Sequence, residues 1–183
     1  MEQIKELTKR LIANSFKEIL QQTPFEKITI KMITDHANVI RPTFYNHFHD
    51  KYELMEWMLK DEILEKVYRL EEEGKFEEGI KLIITQFYND KEYYKKAFEI
   101  NGQNGFAETL SDLLTAYFCG LAKKHINHHK DLNVPAEFIG RYYSSGLISV
   151  LKLVVEYGDK ESIDELIDTY DFLMSHTIYE LSD

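Results

Sequence analysis

Residues 41–47 carry the side chains whose types and spacing indicate a chemical role most directly. On a helix that starts near Pro42, Phe44 and Phe48 lie four residues apart on one face, which suits burial. The opposite arc presents Arg41, Pro42, Thr43, Tyr45, Asn46 and His47. An exposed helical face with few charges and several short hydrogen-bonding side chains is suited to the base edges of a DNA groove.

A short helix and a tight turn are predicted to hold this segment in place. Thr29 is positioned to cap the helix. Its inward residues are Ile30, Ile33 and Ala37. Asn38 follows where the chain must turn, and asparagine tolerates the left-handed conformation better than most residues other than glycine. Val39 then fills the angle between the two helices.

Helical periodicity continues through the rest of the chain, and strand signals are weak. The first helix is predicted to end before Pro24. Its apolar stripe contains Ile4, Leu7, Leu11, Phe16, Ile19 and Leu20. Asp50 is predicted to cap another helix, with Glu53 at the capping-box position. Helices are predicted near 50–72, 76–89, 91–100, 106–130, 135–157 and 162–181, so the sequence predicts an all-α protein.

The charge of the chain is distributed unevenly. The formal net charge is −10, yet residues 1–60 hold nine Lys/Arg against eight Asp/Glu, and residues 61–183 hold thirteen against twenty-four. This distribution is compatible with DNA binding at one end only. The single cysteine, Cys119, fits a reducing compartment. Because no apolar run reaches membrane-spanning length, we expect a cytoplasmic globular protein without membrane contact.

A set of ten residues between positions 28 and 54 matches a known signature without a gap. These residues are Thr29, Ile33, Ala37, Val39, Thr43, Tyr45, His47, Phe48, Lys51 and Leu54. They resemble the pattern T-x-x-x-I-A-x-x-A-G-V-S-x-x-T-x-Y-x-H-F-x-x-K-x-x-L of the TetR family of bacterial transcriptional regulators. Two departures from it matter: the usual turn glycine is Asn38, and the usual capping serine is Ile40, which cannot accept a hydrogen bond.

The resemblance implies a regulator with two parts. Residues 1–54, the head, would bind a double-stranded DNA operator, and residues 55–183, the body, would bind an effector and form a homodimer. Three residues would hold the phosphate backbone: Thr43, Tyr45 and Lys51. Three would face base edges: Arg41, Pro42 and Asn46. The predicted DNA-contacting set is completed by Thr29, Lys31 and His47. Hydroxyls and lysine suit phosphate oxygens, whereas asparagine pairs with adenine and arginine with guanine.

The last two predicted helices, 135–157 and 162–181, are candidates for the dimer interface. The first has apolar residues on too many sides for one intramolecular face. Small residues that allow another helix to approach closely are Ser144, Ser145, Gly146 and Ser149. Burial inside the same chain is the alternative explanation of this composition.

The aromatic residues of the body are candidates for a ligand cavity, since tyrosine combines an apolar ring with a polar tip. The residues predicted to contact a ligand are the rings of Tyr94, Phe98, Tyr117 and Tyr142, together with Asn101 in the polar loop 101–105. Plain core packing is the alternative for each ring. The body also resembles the subgroup related to dihydroxyacetone-kinase operon regulators. That resemblance implies that the effector is either a small molecule or a protein co-regulator.

Other chemistries find less support in the sequence. His125, His128 and His129 have spacing that can chelate a metal, but the surrounding lysines favour solvated side chains, so we expect no metal. There is no nucleophile elbow, phosphate-binding glycine loop or spaced carboxylate pair, so we expect neither an enzyme nor a cofactor. The alternative function is a helical protein-interaction or co-regulator module that does not bind DNA.

Overall fold

The computed structural model describes residues 2–102, 104–125, 134–158, 162–176 and 180, and every regular element in that part of the chain is helical. The elements are α1 (Glu2–Gln22), a 3-10 turn (Phe25–Lys27), α2 (Ile30–His36), α3 (Arg41–Tyr45), α4 (Lys51–Leu59), a π segment (Lys60–Leu64), α5 (Glu65–Glu72), α6 (Phe76–Asn89), α7 (Lys91–Phe98), α8 (Phe106–His125), α9 (Ala136–Tyr157) and α10 (Ile163–Ser175). The all-α prediction is confirmed. The predicted helix end at 130 lies outside the described residues, and the predicted end at 181 is wrong, because α10 ends at Ser175 and the backbone of His176 is extended.

Helix α1 packs into the protein mainly through its C-terminal half. Ile12, Phe16 and Leu20 are buried. The predicted stripe is wrong in its first half, because Ile4, Leu7 and Leu11 are exposed. Residues spaced by three and four form more than one line along α1, and only the line that includes Ile12 and Phe16 meets the core.

One uninterrupted helical run from α4 through α5 leaves the head and enters the body. The run changes to π geometry at Lys60–Leu64, where backbone hydrogen bonds span five residues instead of four. Asp61 of this segment is almost fully buried. The expected domain boundary at 54/55 falls inside α4, so the two parts share a helix.

Two cations of α1 bind the π segment from the side. Arg10 donates a hydrogen bond to Oδ1 of Asp61 at 3.2 Å. Lys17 Nζ lies 2.7 Å from Oε2 of Glu62 and 2.8 Å from Oδ2 of Asp90, which follows α6. The Lys17 side chain is only 15% exposed, so its ion pairs are less screened than those of a surface lysine. Lys17 therefore joins α1, the π segment and the α6–α7 junction.

The body is built on close packing of α8 against α9. A Cβ on Gly140 would lie 2.5 Å from Sγ of Cys119 and 2.7 Å from the carbonyl oxygen of Thr115, so only glycine permits this approach. The hydroxyls of Thr115 and Ser144 are hydrogen-bonded at 2.8 Å. Ser144 is therefore buried against α8, a neighbouring helix of the same chain. The other three small residues, Ser145, Gly146 and Ser149, are exposed.

An aromatic cluster fills the space between α6, α7 and the start of α8. The rings of Phe87 and Tyr94 stack with centroids 3.8 Å apart. Phe106 packs on Tyr94 at 5.9 Å and meets the edge of Phe98 at 5.1 Å. Phe87, Tyr94 and Phe106 are buried, so this part of the body is a packed core.

Among the described residues, α9 is the one helix long and apolar enough to cross a membrane by length and composition. Its inner face, which includes Leu147, Leu151 and Val154, is buried within the protein. Packing against neighbouring helices accounts for the apolar residues of this inner face. Ser162 and Glu165 form the predicted capping box at the start of α10.

Candidate functional site

The turn between α2 and α3 has the predicted geometry. Thr29 caps α2, and its Oγ1 accepts a hydrogen bond from the Met32 N–H at 3.2 Å. Asn38 adopts a φ of +53°, the left-handed conformation. The Val39 N–H then donates to the carbonyl of Thr34 at 3.0 Å, which closes the turn.

An aromatic base beneath α3 fixes its orientation. Phe44 and Phe48 are buried, and their ring centroids are 5.7 Å apart. Phe48 packs against Trp57 of α4 at 5.5 Å. Because this side of α3 is held against the core, its opposite side faces outward.

The outward arc presents the residues selected from the sequence. Arg41, Pro42, Tyr45 and Asn46 are exposed, while Thr43 and His47 are half-buried. Tyr45 is 51% exposed, and its ring meets the edge of Phe44 at 5.6 Å. Within the described chain, no hydrogen bond or ion pair engages the side chains of Arg41 and Asn46. Both are therefore available to a ligand.

Helix α3 begins without a side-chain cap. Ile40 occupies the N-cap position, is 69% exposed and makes no capping hydrogen bond. The Thr43 N–H donates to the Ile40 carbonyl at 2.9 Å, and Pro42 has no N–H to satisfy. The turn therefore forms as predicted, although the hydroxyl typical of this position is missing.

Lys51 has an intramolecular role that the sequence did not indicate. Its Nζ donates to the carbonyl oxygens of Phe25 at 2.6 Å and Ile28 at 3.0 Å, and it lies 4.0 Å from the centroid of the Phe25 ring. Burial lowers the pKa of Lys51, although Glu26 and Asp50 oppose this effect. Lys51 thus ties the 3-10 turn to α4 with two of its three N–H donors.

A cationic region beside α3 was missed by the sequence analysis. Lys9 Nζ lies 5.2 Å from the centroid of the Trp57 ring. Burial lowers the pKa of His47, and the charges of Lys9 and Lys5 lower it further. The two lysines are four residues apart on α1, which gives them one face, but only the fold places that face beside His47.

The remaining selected residues of the head lie on α2 and at its start. Thr29 and Lys31 are exposed. Lys31 Nζ pairs with Oδ2 of Asp35 at 2.5 Å, and both side chains are well exposed, so solvent weakens this pair.

Asp50 caps α4 as predicted, but the Glu53 carboxylate accepts the N–H of His49 instead of that of Asp50. The predicted capping box is therefore wrong in that detail.

The outer face of α9 carries large apolar side chains towards both ends and small residues in the middle. Phe138 is 66% exposed, Tyr142 69% and Leu153 51%. A Cβ on Gly146, midway along the helix, would meet nothing within 4 Å. Helix α10 adds the exposed residues Phe172, Leu173 and Met174. Large exposed apolar surfaces of this kind mark interaction sites.

A groove of about 880 Å³ lies between α6, α8, α9 and α10. Its lining includes a continuous line of rings: Tyr117 and Phe118 have centroids 5.2 Å apart, Phe118 and Tyr143 5.7 Å, and Tyr143 and Tyr142 5.4 Å. The charged residues that line it in the described part of the chain are Glu77 and Asp171. Burial raises the pKa of Tyr170, another wall residue, to about 12.

Two of the five residues selected as ligand contacts line this groove, Tyr117 and Tyr142. Tyr94 and Phe98 instead belong to the aromatic cluster of the body. Asn101 is exposed, and its side-chain N–H donates to the Glu99 carbonyl at 2.8 Å. Ring-rich composition indicated a cavity in the body, but it did not distinguish the groove from the packed core.

The described residues contain no group of three or more histidine, cysteine or carboxylate residues arranged for a metal ion. His128, His129 and the side chain of His125 lie outside the described part of the chain.

Family comparisons match both parts of the chain. Residues 17–58 match the bacterial regulatory proteins of the tetR family, and residues 74–176 match a transcriptional regulator C-terminal region. The chain belongs to the TetR family. The resemblance drawn from the head is confirmed, and members of this family are transcriptional regulators and not enzymes.

Individual relatives extend the match to the body. The chain is 25% identical over 148 residues to the HTH-type dhaKLM operon transcriptional activator DhaS of Lactococcus lactis, covering 80% of this chain and 78% of that protein. The solved dihydroxyacetone kinase operon activator DhaS has a TM-score of 0.69 at 20% identity, covering 92% of this chain and 94% of that one. These matches support the predicted subgroup of the TetR family.

A second solved structure supports the fold. Thermus thermophilus FadR, a TetR family transcriptional repressor in complex with lauroyl-CoA, has a TM-score of 0.61 at 17% identity, covering 93% of this chain and 94% of that one. The family therefore includes both an activator and a repressor with this fold.

Proposed function

We propose that this TetR family regulator is a homodimer that reads a palindromic operator and responds to an effector. The observation that carries the proposal is the geometry of α3. Its polar arc is exposed, and its aromatic side is held by Phe44, Phe48 and Trp57. A rigid base under an exposed reading surface is what base recognition requires.

The arc has two roles in this proposal. Arg41, Pro42 and Asn46 contact base edges, with Arg41 suited to guanine, Asn46 to adenine and Pro42 to a thymine methyl. Phosphates are held by Thr29, Lys31, Thr43, Tyr45 and His47. Lys51 joins this second set through its third N–H, since two are used by Phe25 and Ile28.

The charge of the head bears on how it binds. Residues 1–60 have one more cation than anion, so phosphate attraction supplies less of the affinity than it does in strongly basic proteins. We therefore expect a shallow dependence of affinity on salt and a large share of the specificity from base contacts.

The proposed dimer forms through the outer face of α9 and the exposed residues of α10. Gly146 allows a second helix to approach closely, while Phe138 and Leu153 supply apolar area at the two ends. A two-fold axis through this face gives two heads, as a palindromic operator requires.

The dimer is testable with two glycine variants. Gly146 and Gly120 both have open space at the Cβ position, but Gly120 lies on α8 and outside the proposed face. We expect Gly146→Lys to convert dimer to monomer in sedimentation equilibrium, whereas Gly120→Lys leaves the dimer intact. A monomeric wild type, or a dimer that tolerates Gly146→Lys, would contradict the proposed interface.

Control by an effector requires that it prefer one separation of the two heads. The effector is a small molecule or a protein co-regulator that binds the body. Activation and repression are both compatible with this mechanism, because the sign depends on where the operator lies relative to the promoter. Such a regulator works in the bacterial cytoplasm, where the DNA is.

Selection of bound duplexes from a random library tests the DNA-reading function. We expect an inverted repeat whose half-sites are about 10 base pairs apart, or a multiple of that spacing. The control is the double variant Arg41→Ala/Asn46→Ala, which should not enrich the same sequence. Absence of any enriched sequence with the wild type would reject DNA reading and favour a protein-interaction module.

A further inference from the structure

The groove between α6, α8, α9 and α10 differs in character from the aromatic core. Phe87, Tyr94 and Phe106 are buried on one another, whereas Phe138 and Tyr142 at the groove are mostly exposed. A volume of about 880 Å³ is in the range of pockets that take drug-sized molecules.

Tyr142 is 69% exposed and Tyr143 is half-buried, so a molecule in the groove can reach these two rings, whereas Tyr117 and Phe118 are buried. Tyr117, Phe118, Tyr143 and Tyr142 follow one another at centroid distances between 5.2 and 5.7 Å. Aromatic faces carry negative potential and attract cations, most strongly where water is excluded.

The charged side chains that line the groove also favour a cationic ligand. Glu77 and Asp171 line it, and no lysine, arginine or histidine lines it among the described residues. Asp171 pairs with Lys81 at 3.5 Å, but both side chains are well exposed, which weakens the pair. Lys124, near the end of α8, is engaged by the buried Glu71. Among the described residues of the lining, an anionic ligand would meet two carboxylates and no cation.

We propose that this groove binds an apolar organic cation, held by the rings of Tyr142 and Tyr143 and by the carboxylates of Glu77 and Asp171. The inference rests on the proposed function where it identifies this cation as an effector. Phe138, Tyr142 and Met174 belong both to the groove and to the exposed surface of α9 and α10. A bound cation therefore touches residues of the proposed dimer face and can bias the separation of the heads.

Two ions of the same shape and opposite charge test the ligand class. Tetraphenylphosphonium and tetraphenylborate are titrated into the full-length protein without DNA, with binding measured by calorimetry. We expect the phosphonium to bind at least about tenfold more tightly, as one cation–π contact with partial desolvation can supply. Equal or tighter binding of the borate would overturn the proposal, as would failure of both ions to bind because a second subunit covers the groove.

Variants locate the binding to the groove. The double variant Glu77→Gln/Asp171→Asn should lower the affinity for the phosphonium several-fold and raise that for the borate. Glu92→Gln, at an exposed carboxylate of α7, is the matched control and should change neither. Tyr142→Leu should also lower the affinity for the phosphonium. Phosphonium binding that is insensitive to all of the groove variants would refute the assigned site.

A separate measurement distinguishes this inference from the proposed function. The phosphonium is added to a complex of the protein with its selected duplex, and the dissociation constant for DNA is measured by fluorescence anisotropy. A several-fold shift that is lost in Glu77→Gln/Asp171→Asn supports the effector role. Groove-dependent phosphonium binding by a protein that selects no DNA would uphold the ligand class and reject the DNA-reading function. Phosphonium binding that leaves the affinity for DNA unchanged would reject the effector role.

Discussion

The base of α3 in the head and the groove of the body both rest on aromatic packing, but their contacting residues are separated by different distances along the chain. At the base of α3, Phe44 packs on Phe48 and Phe48 packs on Trp57, so each contact spans at most nine residues. In the body, Phe118 of α8 packs on Tyr143 of α9, and Thr115 bonds to Ser144 across 29 positions. Local spacing therefore specifies the base of α3, whereas the groove depends on how distant helices approach each other.

The largest expected effect comes from removing the base of the head. Phe44→Ala should lower the free energy of unfolding by about 3–5 kcal/mol, because Phe44 is fully buried. Tyr45→Ala, at a side chain that is 51% exposed, should cost less than about 1 kcal/mol. Chemical denaturation followed by circular dichroism measures both. Similar losses for the two variants would break the assignment of a buried and an exposed side to α3.

Removing the ion pairs of Lys17, which connect head and body, should have the second-largest effect on stability. Lys17→Met leaves the carboxylates of Glu62 and Asp90 without their shared cation and should destabilise the protein by about 2 kcal/mol, less than a fully buried pair. Lys31→Met, which removes an exposed pair with Asp35, should cost less than about 0.5 kcal/mol. Equal costs in the same denaturation experiment would show that Lys17 does not couple the two parts.

Adding a side-chain cap to α3 should have a smaller effect on the free energy of unfolding, and it should stabilise the protein. Ile40→Ser should stabilise the protein by about 1 kcal/mol, because its hydroxyl can accept an N–H that Ile40 leaves without a side-chain partner. Ile40→Ala removes the same exposed side chain without adding an acceptor and serves as the control. If both variants gave the same midpoint in thermal denaturation, the cap would be irrelevant.

The smallest expected effect is a pH dependence of stability centred on His47. Burial, Lys9 and Lys5 lower the pKa of His47 in the folded protein, so the unfolded chain takes up the proton first. Stability is therefore lost as pH falls below the ordinary value of 6.5 and stops falling below the lowered pKa. His47→Gln should reduce the slope of unfolding free energy against pH in that window. An unchanged slope would mean that His47 is not the responsible group.

The sequence predicted those features that neighbouring residues determine. Thr29 and Asp50 predicted two helix caps and Asn38 predicted a turn, and the structure has all three. The first half of the α1 stripe was wrong, because periodicity does not say which line of apolar residues meets the core. The intramolecular role of Lys51 was missed for a related reason: its two carbonyl partners lie more than twenty residues away.

The body was predictable in its helices but not in its site. The bounds of α6 and the capping box of α10 follow from local signals. Ser144 and Ser145 are adjacent small residues, yet one faces α8 and the other faces solvent. Tyr94 is buried and Tyr142 is exposed, and this difference depends on helix packing, which the spacing of residues in one sequence does not reveal.

The ratio of affinities for a selected duplex and a scrambled duplex tests the central claim most directly. The claim is that the exposed arc of α3 reads bases. For the wild type we expect a ratio of at least about a thousand. Asn46→Ala should lower that ratio about tenfold or more while leaving the affinity for the scrambled duplex nearly unchanged. Equal affinity of the wild type for the two duplexes, or a ratio that Asn46→Ala and Arg41→Ala both leave intact, would contradict the account.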